Sequence, residues 1–404
     1  MASLWCYLAV LLLLSSLLTL TNQTLSRSDR KKPVPKDSCT PGDPLCDKSA
    51  DTPVTLDATV IDRNLVREDV KYTDVLRNHK TYSHVHAKIR FVSMETTLVF
   101  VTPWNSKGYE LALTFSHKFT HISPVWFQLS PSGDISGKHD IKEKWLRKLY
   151  KSNPDLKVIP RFLFDGWSAD DFDTFYGSED RMNKMVDGVI HLLTHYKMHG
   201  AVLEIWRQMP SEYFYKFMGF LQILSDRFEE KDLYLCMVVP PSNPDPEAID
   251  PAPYNSTHFL ATNPLLDSVL IMTYDYPSLI QRPGPSSPLP WIEGCVYELS
   301  PNYELRHKIL IGVNLFGNEF SRQGHVPLDG NLYLDKLRQL KPAIEWNEQS
   351  GEHIIQIDSP TDPRLIVYPS LNSIQTRIRL AERLSVGIGM WELGQGLDYF
   401  YDLF

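Results

Sequence analysis

Eight short, strongly apolar runs punctuate the chain, at residues 98–103, 122–129, 158–164, 201–206, 233–239, 269–273, 309–315 and 386–391. Each has the length of a strand and is apolar throughout, the pattern of a strand covered on both faces rather than one with a wet side. Helical periodicity fills several of the intervals. Met182, Met185, Val186, Val189, Leu193 and Tyr196 share one face of a predicted helix, with Ser178 ahead of it as the cap. A second helix is predicted over residues 211–229. Strands alternating with helices predict a parallel sheet, and eight such units predict an α/β fold closed as a (β/α)8 TIM barrel. The rhythm breaks after the seventh run. Between it and the eighth lie a predicted helix at 331–340 and strand-like pieces at 343–346, 353–357 and 365–368, read together as a small α+β insertion over about residues 316–369. No internal repeat is visible.

The barrel domain is therefore assigned to residues 96–404, behind a tail and extension at 22–95. Residues 4–20 are apolar and uncharged and give way to small and hydroxyl residues, which reads as a secretory signal peptide over 1–21. An uncleaved signal anchor is the alternative. No other stretch is long and apolar enough to span a bilayer, so a mature chain with no membrane span, exported to the lumen or outside the cell, is expected.

A chain of 404 residues with 43% hydrophobic and 22% charged residues can bury one barrel-sized core. Its net charge of −8 argues against nucleic acid, which calls for a basic patch. Only the tail is basic, through Arg27, Arg30, Lys31, Lys32 and Lys36, and it reads as a solvated segment. Cys39 and Cys46 bracket a turn-rich loop and are expected to pair in an exported chain. For Cys236 and Cys295, buried thiols and a bond both stay open. Asn255-Ser256-Thr257 is a surface glycosylation sequence.

Candidate chemistry concentrates at the carboxyl ends of the predicted strands, where barrels of this class meet their ligands. Trp104, Trp126, Trp167, Trp206 and Trp391 all fall there. Flat aromatic faces suit the apolar faces of sugar rings, and the group reads as a sugar platform, although any single tryptophan could equally fill a large barrel. Asn105, Gln128 and Asn314 are polar neighbours. Two of the strand ends carry aromatic-acidic clusters, Met272-Thr273-Tyr274-Asp275-Tyr276 and Gly387-Ile388-Gly389-Met390-Trp391-Glu392.

These clusters resemble the sixth and eighth strand ends of glycoside hydrolase family 18, the chitinase family. Val101-Thr102-Pro103-Trp104-Asn105-Ser106 and Ile122-Ser123-Pro124-Val125-Trp126 add to the likeness, which covers residues 98–404. Glu345-Trp346-Asn347 and Val367-Tyr368-Pro369-Ser370-Leu371 are similar to the segments framing that family's α+β insertion. The resemblance implies that Trp391 floors the central sugar subsite and that Tyr274 and Asp275 hold an N-acetyl group. It also implies a secreted or lysosomal protein of innate recognition that binds chitooligosaccharides or related N-acetylated glycans, with a scavenger or sorting receptor as a further partner.

The fourth strand end departs from the family. It reads His199-Gly200-Ala201-Val202-Leu203-Glu204-Ile205-Trp206, where an active member carries Asp-Gly-x-Asp-x-Asp-x-Glu. Family 18 enzymes use the substrate's own N-acetyl oxygen as nucleophile, but a carboxylic acid must still protonate the leaving oxygen from about 2.6–3.2 Å. Strand alternation aligns Val202, Glu204 and Trp206 with the family's two aspartates and final glutamate, so the surviving acid sits roughly 6.6 Å too deep. The family's Ser-x-Gly-Gly is likewise replaced, by Pro160-Arg161-Phe162-Leu163-Phe164-Asp165-Gly166-Trp167. Binding without hydrolysis is the expectation, with carbohydrate-binding residues Trp104, Trp126, Glu204, Trp206, Tyr274, Asp275 and Trp391 and no catalytic residue. Trp206 either stacks on the ligand or plugs the subsite. A weak glycosidase using Glu204 or Asp165, and a secreted adaptor carried by a sorting receptor, are the alternatives. Glu204 serves either as an acceptor toward the ligand, Tyr274 and Asp275, or as the partner of Arg161. His191 and His195 lack the glutamate of a zinc motif, and His79, His84 and His86 lack ligand spacing, so no metal and no cofactor are expected.

Overall fold

All eight apolar runs become parallel strands, because a segment apolar on both sides finds cover for both only in the middle of a layered structure. The computed structural model describes residues 54–241 and 254–404. Its barrel strands are β1 (Thr97–Val101), β2 (His121–Pro124, resuming at Phe127–Leu129), β3 (Lys157–Val158, resuming at Arg161–Phe164), β4 (Gly200–Glu204), β5 (Tyr234–Val239), β6 (Ser268–Ile271), β7 (Ile309–Asn314) and β8 (Gly387–Trp391). Val99 lies opposite Ile122 of β2 and also opposite Met390 of β8, and that second pairing closes the ring. The interruption in β2 follows Pro124 and that in β3 includes Pro160, since proline offers the ladder no N–H.

Alternation sorts each strand between two cores. Leu98, Phe100, Val202, Cys236, Leu270 and Leu310 point into the barrel and form one cluster. Val99, Ile122, Phe162, Leu203, Met237 and Ile388 point outward into the larger one beneath the helices. The helix Glu179–His195 is capped by the Ser178 hydroxyl, which accepts the Arg181 N–H, and it buries the predicted face from Met182 to Leu193. The second predicted helix is a 3-10 turn, Ser211–Tyr213, running into Phe214–Glu229. Cys236 and Cys295 are buried free thiols. Cys39, Cys46 and the basic tail lie outside the described residues. Asn255 is half-buried and caps the helix Ser256–Thr262 by accepting the His258 N–H. Among the described residues no helix is long and apolar enough to cross a membrane.

The insertion between β7 and β8 folds as a five-stranded antiparallel sheet with the helix Gly330–Leu340, ahead of the helix Leu371–Leu384 that leads into β8. The sequence pattern shows three of its strands, Glu345–Asn347, Glu352–Ile357 and Arg364–Val367, and misses the hairpin Gly317–Ser321 with Gly324–Leu328. That second hairpin strand is largely exposed and carries Pro327 on the sheet edge, so it offers no apolar run to read. Glu319 joins the hairpin to its surroundings through Lys336 at 2.7 Å and Arg364 at 2.9 Å.

Residues 54–95 are bound to the far end of the chain. Val54–Leu56 and Thr81–Ser83 form a small parallel sheet. The buried carboxylate of Asp402 accepts the N–H groups of Val60 at 3.2 Å and Ser83 at 2.9 Å, while Tyr399 N–H donates to His79. Removing this extension would strand a buried charge, so it belongs to the barrel's structure.

Phe100 fills the barrel interior with 2% of its surface exposed and lies 5.1 Å, ring to ring, from Trp391. Phe100→Ala is expected to cost about 3–5 kcal/mol in urea unfolding, a penalty shared between lost transfer energy and the cavity left behind.

Candidate functional site

The barrel mouth is built from strand ends, and β4 sets its chemistry. Val202 lies opposite Arg161 of β3, so both face inward, and Glu204 follows on the same side. Arg161 Nη1 donates to Glu204 Oε2 at 2.9 Å, with both side chains more than nine-tenths buried. Of the two sequence readings of Glu204, the pair with Arg161 is the one formed. Such a pair draws its stability from each partner compensating the other's lost hydration, so neither is readily surrendered to a third group.

At the end of β6 the chain turns through Thr273-Tyr274-Asp275. The Thr273 hydroxyl donates to Gly312 O on β7 at 2.9 Å. Tyr274 crosses over Gly312, where an added Cβ would come within 2.7 Å of ring atom Cε1, so the close approach demands glycine. The Tyr274 ring also meets Phe316 edge-on at 6.0 Å. Asp275 takes a left-handed backbone (φ 64°), a conformation aspartate tolerates better than most residues. Burial pushes the Asp275 carboxyl up to about 6, with the Arg207 charge opposing. Burial also drives the Tyr274 phenol well above its ordinary range, helped by the negative charges of Asp275 and Glu204 and opposed by Arg207 and Arg161. Tyr274, Asp275, Glu204, Arg161 and Arg207 thus form one electrostatic cluster.

Trp391 closes β8, partly exposed above Phe100, and its peptide bond to Glu392 is cis. Glu392 is buried. Its carboxylate accepts Asn105 Nδ2 at 2.8 Å and Gly394 N–H at 3.2 Å, and burial pushes it up to about 7. It thereby ties the loop that carries Trp104 to the strand that carries Trp391. Trp104 is 41% exposed at the end of β1. Gln128 is exposed at the end of β2, whereas Asn314 turns inward and donates to Phe316 O. Asp165 is exposed just past β3.

Two expected site residues are placed elsewhere. Trp126 is 3% exposed, donates its indole N–H to the Tyr109 hydroxyl at 2.7 Å and packs against Trp145 under the helices. Trp206 neither stacks in the mouth nor plugs it: Phe214, Phe217, Tyr254 and His258 surround its ring. The alternation argument fails there because β4 ends at Glu204, and a turn begins in which Gln208 and Met209 N–H groups return to Ile205 O. Trp167, in the same tryptophan group, likewise sits in the outer layer, donating to Leu129 O and packing on Phe172. The same turn brings Arg207 toward Tyr274 and Asp275. Sequence reading overlooked Arg207 because strand parity was carried two residues beyond the strand. His191 and His195 stand on an exposed helix face.

The chain matches the family model described as Glycosyl hydrolases family 18 over residues 96–396. It belongs to glycosyl hydrolase family 18. Solved structures share the fold at low identity. A chitinase from Chromobacterium violaceum superimposes with a TM-score of 0.65 at 17% identity, covering 76% of this chain and 97% of its own. A family 18 chitinase from Cycas revoluta in complex with (GlcNAc)3 gives 0.64 at 16% identity, with coverage of 76% and 97%. The Bacillus megaterium spore cortex-lytic enzyme SleL gives 0.63 at 14% identity, with coverage of 75% and 72%. In this family 18 barrel the mouth therefore carries a paired glutamate, an aspartate of raised proton affinity and one inward tryptophan.

Two measurements test this geometry. Arg161→Met leaves Glu204 buried without its partner and is expected to cost about 3–5 kcal/mol, most of it recovered in the double variant with Glu204→Gln; urea unfolding reads both. For Asp275, a folded-state value near 6 against an ordinary value of about 3.9 means that the folded chain holds the extra proton between those pH values. Stability contributed by this group is then present at low pH and lost as pH rises through 6. Asp275→Asn should accordingly raise the unfolding midpoint at pH 7.5 and leave it unchanged at pH 4.

Proposed function

We propose that this protein is a family 18 lectin that binds chitooligosaccharides or related N-acetylated glycans at the barrel mouth without cleaving them. One observation carries the reading: at the end of β4 no carboxylate stands clear, since Glu204 is held by Arg161 and position 206 is an indole turned among the helices. Protonation of a leaving oxygen needs a carboxylic acid within hydrogen-bond reach, and this strand supplies none. Recognition needs less. Trp391 offers an aromatic floor, and Tyr274 with Asp275 offers a phenol and a carboxylate for an acetamido group, with Trp104 as an outer face. A structural relative, the Cycas revoluta chitinase, holds (GlcNAc)3, and a double mutant of it holds (GlcNAc)4. The proposal carries that ligand class to this chain. It extends to a secreted, chitinase-like protein, glycosylated at Asn255, that reaches lysosomes through a scavenger or sorting receptor and serves innate recognition.

Calorimetric titration with chitotetraose tests the reading. Binding is expected, weakened about tenfold or more by Trp391→Ala and by Asp275→Asn, each removing an interaction worth about 1.4 kcal/mol or more. Affinity should fall as pH drops through about 6, because a protonated Asp275 no longer offers a full acceptor to the acetamido N–H. No shorter oligomer should accumulate on long incubation. Absence of heat at millimolar sugar, or product release abolished by Glu204→Gln or Asp165→Asn, would overturn the proposal.

A further inference from the structure

The turn carrying Tyr274 and Asp275 is backed by a buried polar chain that reaches into the insertion. Thr273 presents its carbonyl to the Ser287 hydroxyl, and Tyr276 N–H donates to Ser286 O at 3.0 Å. Ser286 Oγ in turn accepts Asn318 Nδ2 at 3.2 Å from the insertion's first strand. Ser287 is held from both sides: its N–H donates to Glu352 Oε2 at 3.2 Å, and its carbonyl accepts the Arg377 guanidinium. Arg377 also donates to Gly351 O and Ser373 O, both at 2.8 Å, and lies 3.6 Å from Glu352 Oε1. Thr273, Ser286, Ser287, Asn318, Glu352 and Arg377 are all 5% exposed or less.

Residues 284–288 have no regular secondary structure, so their backbone groups depend on these side chains for partners. A loop of this kind is only as rigid as the groups that satisfy it. Glu352 comes from the insertion and Arg377 from the helix Leu371–Leu384, which leads into β8. Their one shared client among the described contacts is Ser287, and Ser287 bonds directly to the residue before Tyr274.

We propose that Glu352 and Arg377 are positioning residues for the sugar site: through Ser287 they clamp the Thr273–Tyr276 turn, which makes the insertion a brace for Tyr274 and Asp275. This rests on the glycan reading for its purpose but not for its mechanics. Asp275 and Tyr276 are partly exposed at the rim of this turn, so loss of the clamp lets more water in around Asp275, whose proton affinity is raised by desolvation and reports the change directly.

The test uses the full chain with Asp labelled at 13Cγ, the Asp275 signal being identified by its loss in Asp275→Asn. Titrations are run without sugar on wild type, Ser287→Ala, Arg377→Met and Arg377→Lys. The Asp275 midpoint is expected to fall by about one pH unit in Ser287→Ala and Arg377→Met, and to recover in part in Arg377→Lys, as a restored charge re-engages Glu352. Chitotetraose affinity should weaken about tenfold in parallel. An unchanged Asp275 midpoint in Ser287→Ala with wild-type circular dichroism would overturn the proposal, and that milder variant decides the matter should Arg377→Met fail to fold. A midpoint that moves while wild type binds no sugar would uphold the clamp and discard the glycan reading; a fixed midpoint with intact sugar binding would do the reverse.

Discussion

Closure of an eight-stranded parallel sheet leaves each strand residue only two destinations, the interior or the helix layer, and the rest of this molecule follows from how they are shared. The interior is narrow and mostly apolar, so the few charged groups admitted to it are paired. Arg161 and Glu204 enter on neighbouring strands, Glu204 two residues further along its strand than the residue opposite Arg161, and neutralise each other. The pairing fills the mouth of the barrel on the β3–β4 side. The opposite side, formed by β6 to β8, keeps Tyr274, Asp275 and Trp391 for other uses.

That asymmetry governs the electrostatics. Asp275 is desolvated with Arg207 as its favourable charge, and the balance leaves it holding a proton into the mildly acidic range. Glu392 is desolvated too, but its hydrogen bonds are spent on the β1 loop and the turn after β8. Three acids near one rim thus do three different things: one neutralises an arginine, one titrates near 6, and one stitches loops. Carboxylate count alone says little about chemistry here; the partner of each carboxylate says most of it.

The attachments to the barrel follow a related logic. The insertion and the extension each contact the barrel through buried polar groups, Glu352 and Arg377 in one case and Asp402 in the other. A buried charge specifies its partners more narrowly than an apolar patch, because a misplaced neighbour leaves it unsatisfied. Such contacts fix the orientation of the irregular loop behind the Thr273–Tyr276 turn.

Sequence by itself determined the eight strands, their order, the two longest predicted helices with the Ser178 cap, the presence of the insertion, and the family. These features repeat a short-range period, and burial on both faces writes that period plainly into the residues. The hairpin Gly317–Ser321 with Gly324–Leu328 was illegible because an exposed edge has no apolar signature. Glu204 was legible as a choice between two partners, and only the register of β3 against β4 decided it. Trp126 and Trp206 were misplaced for different reasons: Trp126 was assigned by its nearness to a strand end although it shares the outward side of Ile122, and parity was carried to Trp206 although β4 has ended at Glu204. Arg207, and the Ser287 clamp behind Tyr274, join residues far apart in the chain through hydrogen bonds and charge. No local pattern records such meetings, so the tertiary structure alone decided them.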